Sequence, residues 1–212
     1  MSLLEIEGLT HSFGENLLYK NAGFTLNKGE HIGIVGQNGT GKSTLIKICT
    51  EQIIPDSGRI VWQPNTTIGY LDQYAEIDHT LTMKEFLKSA FTKLFEMEAQ
   101  ALQLYEKAAD GDMKSLELAA RYQEQLEAHD FYSIDTAIDR VANGLGLLAI
   151  GLDRPIAEMS GGQRAKVILA KLLLEKPDVL LLDEPTNFLD KDHVSSLKDS
   201  FTKYTSKATT IG

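Results

Sequence analysis

Gly36-Gln37-Asn38-Gly39-Thr40-Gly41-Lys42-Ser43 follows directly on the apolar run His31-Ile32-Gly33-Ile34-Val35, which reads as a short buried strand. The spacing G-x-x-x-x-G-K-S between a strand and a helix is that of a phosphate-binding loop. Glycines let successive backbone N–H groups curl inward around a polyphosphate, and the helix that follows turns its positive N-terminus on the same anion. In that arrangement Lys42 reaches the β- and γ-phosphates and Ser43 supplies a hydroxyl to Mg2+. Four fixed positions in a strand-loop-helix setting argue against a mere glycine-rich turn, so the chain is expected to hold a nucleoside triphosphate.

The 212 residues suffice for one α/β domain with a large core, or a core plus a small subdomain. At 42% hydrophobic and 24% charged residues the composition is that of a globular protein. No apolar run approaches the roughly 20 residues needed to cross a bilayer, and the start Met1-Ser2-Leu3-Leu4-Glu5 lacks a basic segment followed by an apolar one. The expectation is a soluble cytoplasmic protein with no direct membrane insertion. The lone Cys49 permits no internal disulfide and reads as a buried structural thiol between Ile46, Ile48 and the helix end. Five scattered histidines show no zinc-ligand spacing, so any metal is expected to arrive with the nucleotide. A net charge of −9 disfavours non-specific attraction to nucleic acid or an anionic membrane.

Alternation in residues 3–9 and at Phe24 and Leu26 predicts half-exposed strands, with two more over 59–62 and 67–71. From Thr80 the pattern turns helical. Thr82-Met83-Lys84-Glu85 has the form of a capping box, and Phe86, Leu87, Phe91, Leu94 and Phe95 follow at helical spacing, predicting a helix to about Tyr105. After the turn Asp110-Gly111-Asp112 a second helix carries Leu116, Ala119, Tyr122 and Leu126, so the two form a helical hairpin. A small apolar helix interrupted by Gly144, Gly146 and Gly151 is expected between 143 and 151, and another over 162–175. Asp178 to Glu184 is a near-continuous apolar run ending in two carboxylates, as in a strand buried on both faces of a parallel sheet. Asp183 and Glu184 then sit at the strand end, where open α/β sheets bind ligands.

Gly36 to Ser43, Met159-Ser160-Gly161-Gly162-Gln163, Val179 to Glu184 and Asn187-Phe188-Leu189-Asp190 occur in the order and approximate spacing of an ABC-type ATPase domain. Within that superfamily, Asp183-Glu184-Pro185-Thr186-Asn187-Phe188-Leu189-Asp190 most resembles the ABC-F proteins, which are soluble, carry two ABC domains and act on ribosomes. The resemblance implies an α/β P-loop NTPase fold: a mixed sheet core with an antiparallel β portion, and a helical subdomain carrying a helical-hairpin insert. The division implied is a nucleotide-binding core over 1–74 and 164–212 and a helical subdomain over 75–163, with an arm-like insert at about 80–130.

It further implies ATP and Mg2+ as ligands. Phe13 would stack on adenine, Gly36 to Ser43 with Thr44 would hold the phosphates, and Ser43, Gln73 and Asp183 would hold the metal. Glu184 would polarise the attacking water, with Gln73 beside it, and Asp190 would complete the nucleotide site. Ser160, Gly161, Gly162 and Gln163 resemble the signature whose helix N-terminus caps the γ-phosphate bound by an opposite domain. Read alone, Ser160 to Gln163 is an S-x-x-Q helix cap. Met159 stands where the family usually has leucine. No histidine stands at the family's switch position before Gly212, and His193 is too close to Glu184 to serve, so the chain is expected to stop short of that residue and of a second ABC domain. Such a fragment would bind ATP with little turnover of its own.

The partners implied are the second ABC domain and the ribosome, through ribosomal RNA, protein or tRNA, with a transmembrane transporter subunit as the alternative. Residues 84–130 hold ten acidic and six basic side chains, a poor balance for binding RNA phosphates and an open door to a protein contact.

Overall fold

The computed structural model describes residues 2–71, 78–183 and 209–211. Two sheets form its frame. In the first, β1 (Ser2–Phe13) lies between β2 (Asn16–Asn27) and β4 (Ser57–Trp62), antiparallel to both. The β1–β2 hairpin turns through Gly14 and Glu15, and Gly14 takes φ 59°, the positive value that the first central position of a tight II′ turn requires. Both strands run well beyond the expected 3–9 and 24–26, because irregularities at Ile6/Leu9 and Leu9/His11 shift the inward face without ending the ladder.

One bulge ties β1 to β4. Between the pairs Glu7↔Arg59 and Thr10↔Ser57, Gly8 (φ 61°) and Leu9 face the single residue Gly58 (φ 107°). A Cβ on Gly58 would stand 2.7 Å from Leu9 Cα and 2.8 Å from the Gly8 carbonyl carbon, both backbone atoms. Gly58→Ala combines a left-handed backbone with that overlap and is expected to cost about 3 kcal/mol or more. The check is a lower urea midpoint at an unchanged slope; a midpoint equal to that of the parent would contradict the close approach.

The second sheet is parallel, in the order β3-β7-β6-β5, with β3 His31–Ile32, β5 Ile68–Leu71, β6 Val179–Leu182 and β7 Thr209–Ile211. β6 is buried at all four positions, as expected for a strand covered on both faces. Its alternate residues serve two cores. Val179 and Leu181 pack with Leu4, Ile6, Leu9, Leu26 and helix α1 (Lys42–Cys49), while Leu180 and Leu182 pack with Leu71 and the helices on the other side. β3 is shorter than the expected 31–35. Its pairing reaches Ile32↔Ile211, where the partner's described residues end, and Val35 is 94% exposed.

Thr82 opens α2 (Met83–Lys88) with the expected capping box: its Oγ1 accepts from the Glu85 amide at 3.2 Å, and its own N–H donates to Glu85 Oε2 at 2.8 Å. The helix does not continue to Tyr105 as one piece. Ser89 turns its hydroxyl back to the Phe86 carbonyl at 2.6 Å, the chain makes a 3-10 turn over Ser89–Phe91, and α3 (Thr92–Ala109) begins. Gly111 (φ 98°) closes the turn to α4 (Met113–Ala128), capped by Asp112, and α3 packs on α4 as the expected hairpin. The small helix expected at 143–151 lies earlier, as α5 (Ile134–Gly144), with Ile134, Ile138, Val141 and Ala142 buried at steps of three and four. Gly146 (φ 69°) and Gly151 (φ 94°) belong to turns after it. α6 (Gly161–Glu175) joins α2 and α5 in the helical core.

Candidate phosphate-binding site

The phosphate loop leads from β3 into α1 in the expected order. α1 starts on Gly41 in the left-handed region (φ 100°), without a side-chain cap and without an acidic residue in its first turn. Among the described residues no side chain caps its first N–H groups, and no acidic residue stands in its own first turn to meet the helix dipole. The loop is held by its own atoms: Thr40 Oγ1 donates to the Gln37 carbonyl at 2.8 Å, and Lys42 Nζ donates to the carbonyls of Gly36 at 2.9 Å and Gln37 at 3.2 Å. A Cβ on Gly36 would stand 2.7 Å from Thr40 Oγ1, so the curl is tight at that glycine. Amides without a side-chain cap, a tight glycine turn and an ammonium that among the described residues donates to carbonyls fit a polyphosphate.

Phe13 ends β1 beside this loop. With Asn16, Leu18, Asn38, Gly39, Gly41, Lys42, Ser43 and Thr44 it lines a cavity of about 240 Å3. The Phe13 ring is 54% exposed and so is no core residue. Behind it the buried His11 ring meets it edge-on, 5.0 Å between centroids at 81°. His11 Nδ1 lies 3.6 Å from one oxygen of Asp56, whose other oxygen accepts from the Ser12 amide at 2.8 Å and hydroxyl at 3.0 Å. The two residues before Phe13 are thus both held to Asp56.

α1 is clamped at its two ends by residues that carry no local signal in the sequence. The Tyr19 hydroxyl, from β2, donates to the Gly41 carbonyl, and Trp62 Nε1, from β4, donates to the Cys49 carbonyl at 2.9 Å. Cys49 is buried and burial pushes its thiol up to about 12, which makes it an inert structural thiol as expected.

Ser160, Gly161, Gly162 and Gln163 form the N-terminus of α6. The Ser160 hydroxyl accepts from the Gln163 amide at 3.3 Å, and the Ser160 N–H donates to Gln163 Oε1 at 2.9 Å, a complete capping box. Among the described residues nothing stands within 4 Å of where a Cβ on Gly161 or Gly162 would be, and both glycines are exposed. The cavity at Phe13 contains none of Ser160 to Gln163 among its described lining residues. Asp183 directly follows β6 and is half-buried. Since β3 and β6 run parallel in one sheet, the loop after β3 and Asp183 after β6 stand at the same sheet edge. Gln73, Glu184 and Asp190 lie outside the described residues. Among the described residues no group of three or more His, Cys, Asp or Glu could hold a metal, and no helix is long and apolar enough to cross a membrane.

The family model described as ABC transporter matches residues 19–187. An uncharacterized ABC transporter ATP-binding protein, YfmM of Bacillus subtilis, is 45% identical over 96% of this chain and 40% of its own length. The energy-dependent translational throttle protein EttA of Escherichia coli K12 is 38% identical over 85% of this chain and 33% of its own. ABC transporter F family member 5 of Arabidopsis thaliana is 34% identical over 92% of this chain and 29% of its own. The chain thus spans at most 40% of the length of these relatives. A solved ATP-binding subunit of an ABC transporter superposes with a TM-score of 0.69 at 20% identity, covering 99% of this chain and 79% of its own, and speaks for the fold. With the loop before α1 and the buried strand β6 inside the matched residues, the chain belongs to the ABC transporter family as an ABC-F-like ATPase domain.

Proposed function

We propose that the chain is the ATP-binding and ATP-hydrolysing engine of an ABC-F protein that acts on the ribosome. The observation that carries the nucleotide reading is the cavity that Phe13 lines together with Asn38, Gly39 and Gly41 to Thr44 of the loop and helix start. An adenine fits against the exposed Phe13 ring, and the triphosphate fits the amides at the start of α1 with Lys42 beside them. Ser43, Asp183 and Gln73 would hold Mg2+, which neutralises charge on the phosphate oxygens when bound. Glu184 accepts a proton from the attacking water, and Asp190 closes the site. Ser160 to Gln163 present the start of α6 to the γ-phosphate held by a second ABC domain, so that ATP binding draws two domains together and hydrolysis releases them. The division proposed is a core of 1–74 and 164–212 with a helical subdomain of 75–163.

The F-family reading is supported by the relative named as an F family member, and action in translation by the relative named as a translational throttle. The α3–α4 hairpin is the proposed arm, and its acidic balance with Leu102, Tyr105, Met113 and Leu116 exposed near the turn suits a protein surface of the ribosome better than RNA phosphates. The test is co-sedimentation of the complete Glu184→Gln protein with ribosomes, with and without ATP. ATP-dependent pelleting is the expected result. No pelleting, with recovery in a membrane complex, would instead assign the chain to a transporter.

A further inference from the structure

We infer that Tyr19 is a positioning residue for the phosphate site: its hydroxyl fixes the Gly41 carbonyl, and with it the direction of the Lys42 N–H. The inference rests on the proposed nucleotide reading of the loop. Three observations carry it.

The Gly41 carbonyl accepts from two donors, the Leu45 amide of α1 at 2.9 Å and the Tyr19 hydroxyl of β2. Both of a carbonyl's lone pairs are thereby occupied. The described chain has no cis peptide, so the Gly41–Lys42 peptide is a trans plane in which the Lys42 N–H points opposite to the Gly41 carbonyl. With the carbonyl drawn toward Leu45 and Tyr19, the N–H is turned away from the helix body to the loop side, where Gly41 and Lys42 line the cavity.

The second observation is steric. A Cβ on Gly41 would stand 2.6 Å from the Tyr19 Oη, 3.1 Å from its Cζ and 3.2 Å from Leu18 Cδ1. Tyr19 and Leu18 therefore form a wall against which the left-handed Gly41 (φ 100°) is laid. The glycine is needed for its φ and also because β2 presses on it.

Third, the hydroxyl is a constant donor. Burial pushes the Tyr19 phenol above its ordinary value, so it remains protonated throughout the physiological range. Tyr19 itself is anchored by pairing with His11 of β1, the neighbour of Phe13's ring, so the same hairpin sets the base-facing aromatic and the phosphate-facing amide. The distance between the two ends of the cavity is thus fixed by one pair of strands.

Tyr19→Phe keeps the ring and removes the hydroxyl. Leu45 still satisfies the Gly41 carbonyl, so no buried acceptor is orphaned and the melting temperature without nucleotide is expected to stay within about 2 °C. ATP and ADP, which both offer a β-phosphate to the loop, are expected to bind about three- to tenfold more weakly, by the same factor. In steady-state hydrolysis by the complete protein, KM for ATP rises while kcat stays within about twofold, the pattern of lost uniform binding. A purely structural defect gives the opposite split, a lower kcat from a smaller active fraction with KM unchanged. Either that split or an unchanged affinity for both nucleotides would overturn the inference. Lys42→Ala serves as the control on the underlying reading: if it leaves ATP affinity intact, the loop is not the nucleotide site and the role of Tyr19 falls with it.

Discussion

Replacing Glu184 by Gln is expected to lower kcat for ATP hydrolysis in the complete protein by about 10²- to 10⁴-fold while leaving the Kd for ATP unchanged. The neutral amide has the shape of the carboxylate but cannot take a proton from water, so a loss confined to turnover is the signature of a general base. Glu184 follows Asp183, which the parallel strand β6 delivers to the sheet edge shared with the phosphate loop. Coupled hydrolysis assays beside equilibrium ATP titration separate the two quantities. Turnover at the parental rate in the variant would assign the base to another residue.

Lys42→Ala acts on the other quantity. It removes an ammonium that, in the absence of ligand, spends its hydrogen bonds on the carbonyls of Gly36 and Gln37. Gly36 and Gln37 are both exposed, and alanine is a good first residue for α1, so stability is expected to change by no more than about 0.5 kcal/mol. ATP affinity, by contrast, loses a charge-assisted contact to phosphate and should fall roughly 10- to 100-fold. Titration with ATP against the parent checks the size of the loss, and a thermal melt without nucleotide checks that the fold is untouched. A variant that binds ATP as tightly as the parent would remove Lys42 from the site.

The parts of the fold that could be read from sequence share a local cause. The phosphate loop, the boxes Thr82 to Glu85 and Ser160 to Gln163, and the turn at Gly111 each need particular residue types within a few positions of each other. β6 was legible because a strand with one face in each of two cores must be apolar throughout. In the Ser160 box the hydrogen bonds are those of the helix cap that the sequence predicts, and among the described residues nothing lies against Gly161 or Gly162.

Where sequence reading fell short, the determinant was distant or disguised. The twelve-residue strands β1 and β2 look shorter in sequence because bulges at Gly8 and beyond break the period of two on which strand reading depends. α5 went unread because the glycines after it drew the helix toward 143–151, although Ile134, Ile138 and Val141 carry the buried face. The break at Ser89–Phe91 depends on one hydroxyl returning to a carbonyl. Asn16, Leu18 and Tyr19 reach the site from the hairpin's second strand, and only the fold brings them to Gly41.

The proposed function stands or falls with a nucleotide whose phosphates lie in the loop Gly36 to Ser43 and whose base lies on Phe13. The decisive observation is an experimental structure of the complete protein with ATP and Mg2+. The triphosphate is expected against the amides that start α1, with Lys42 turned from the Gly36 and Gln37 carbonyls onto it and the adenine stacked on Phe13. A nucleotide bound elsewhere, or Lys42 still on those two carbonyls with ATP present, would contradict it.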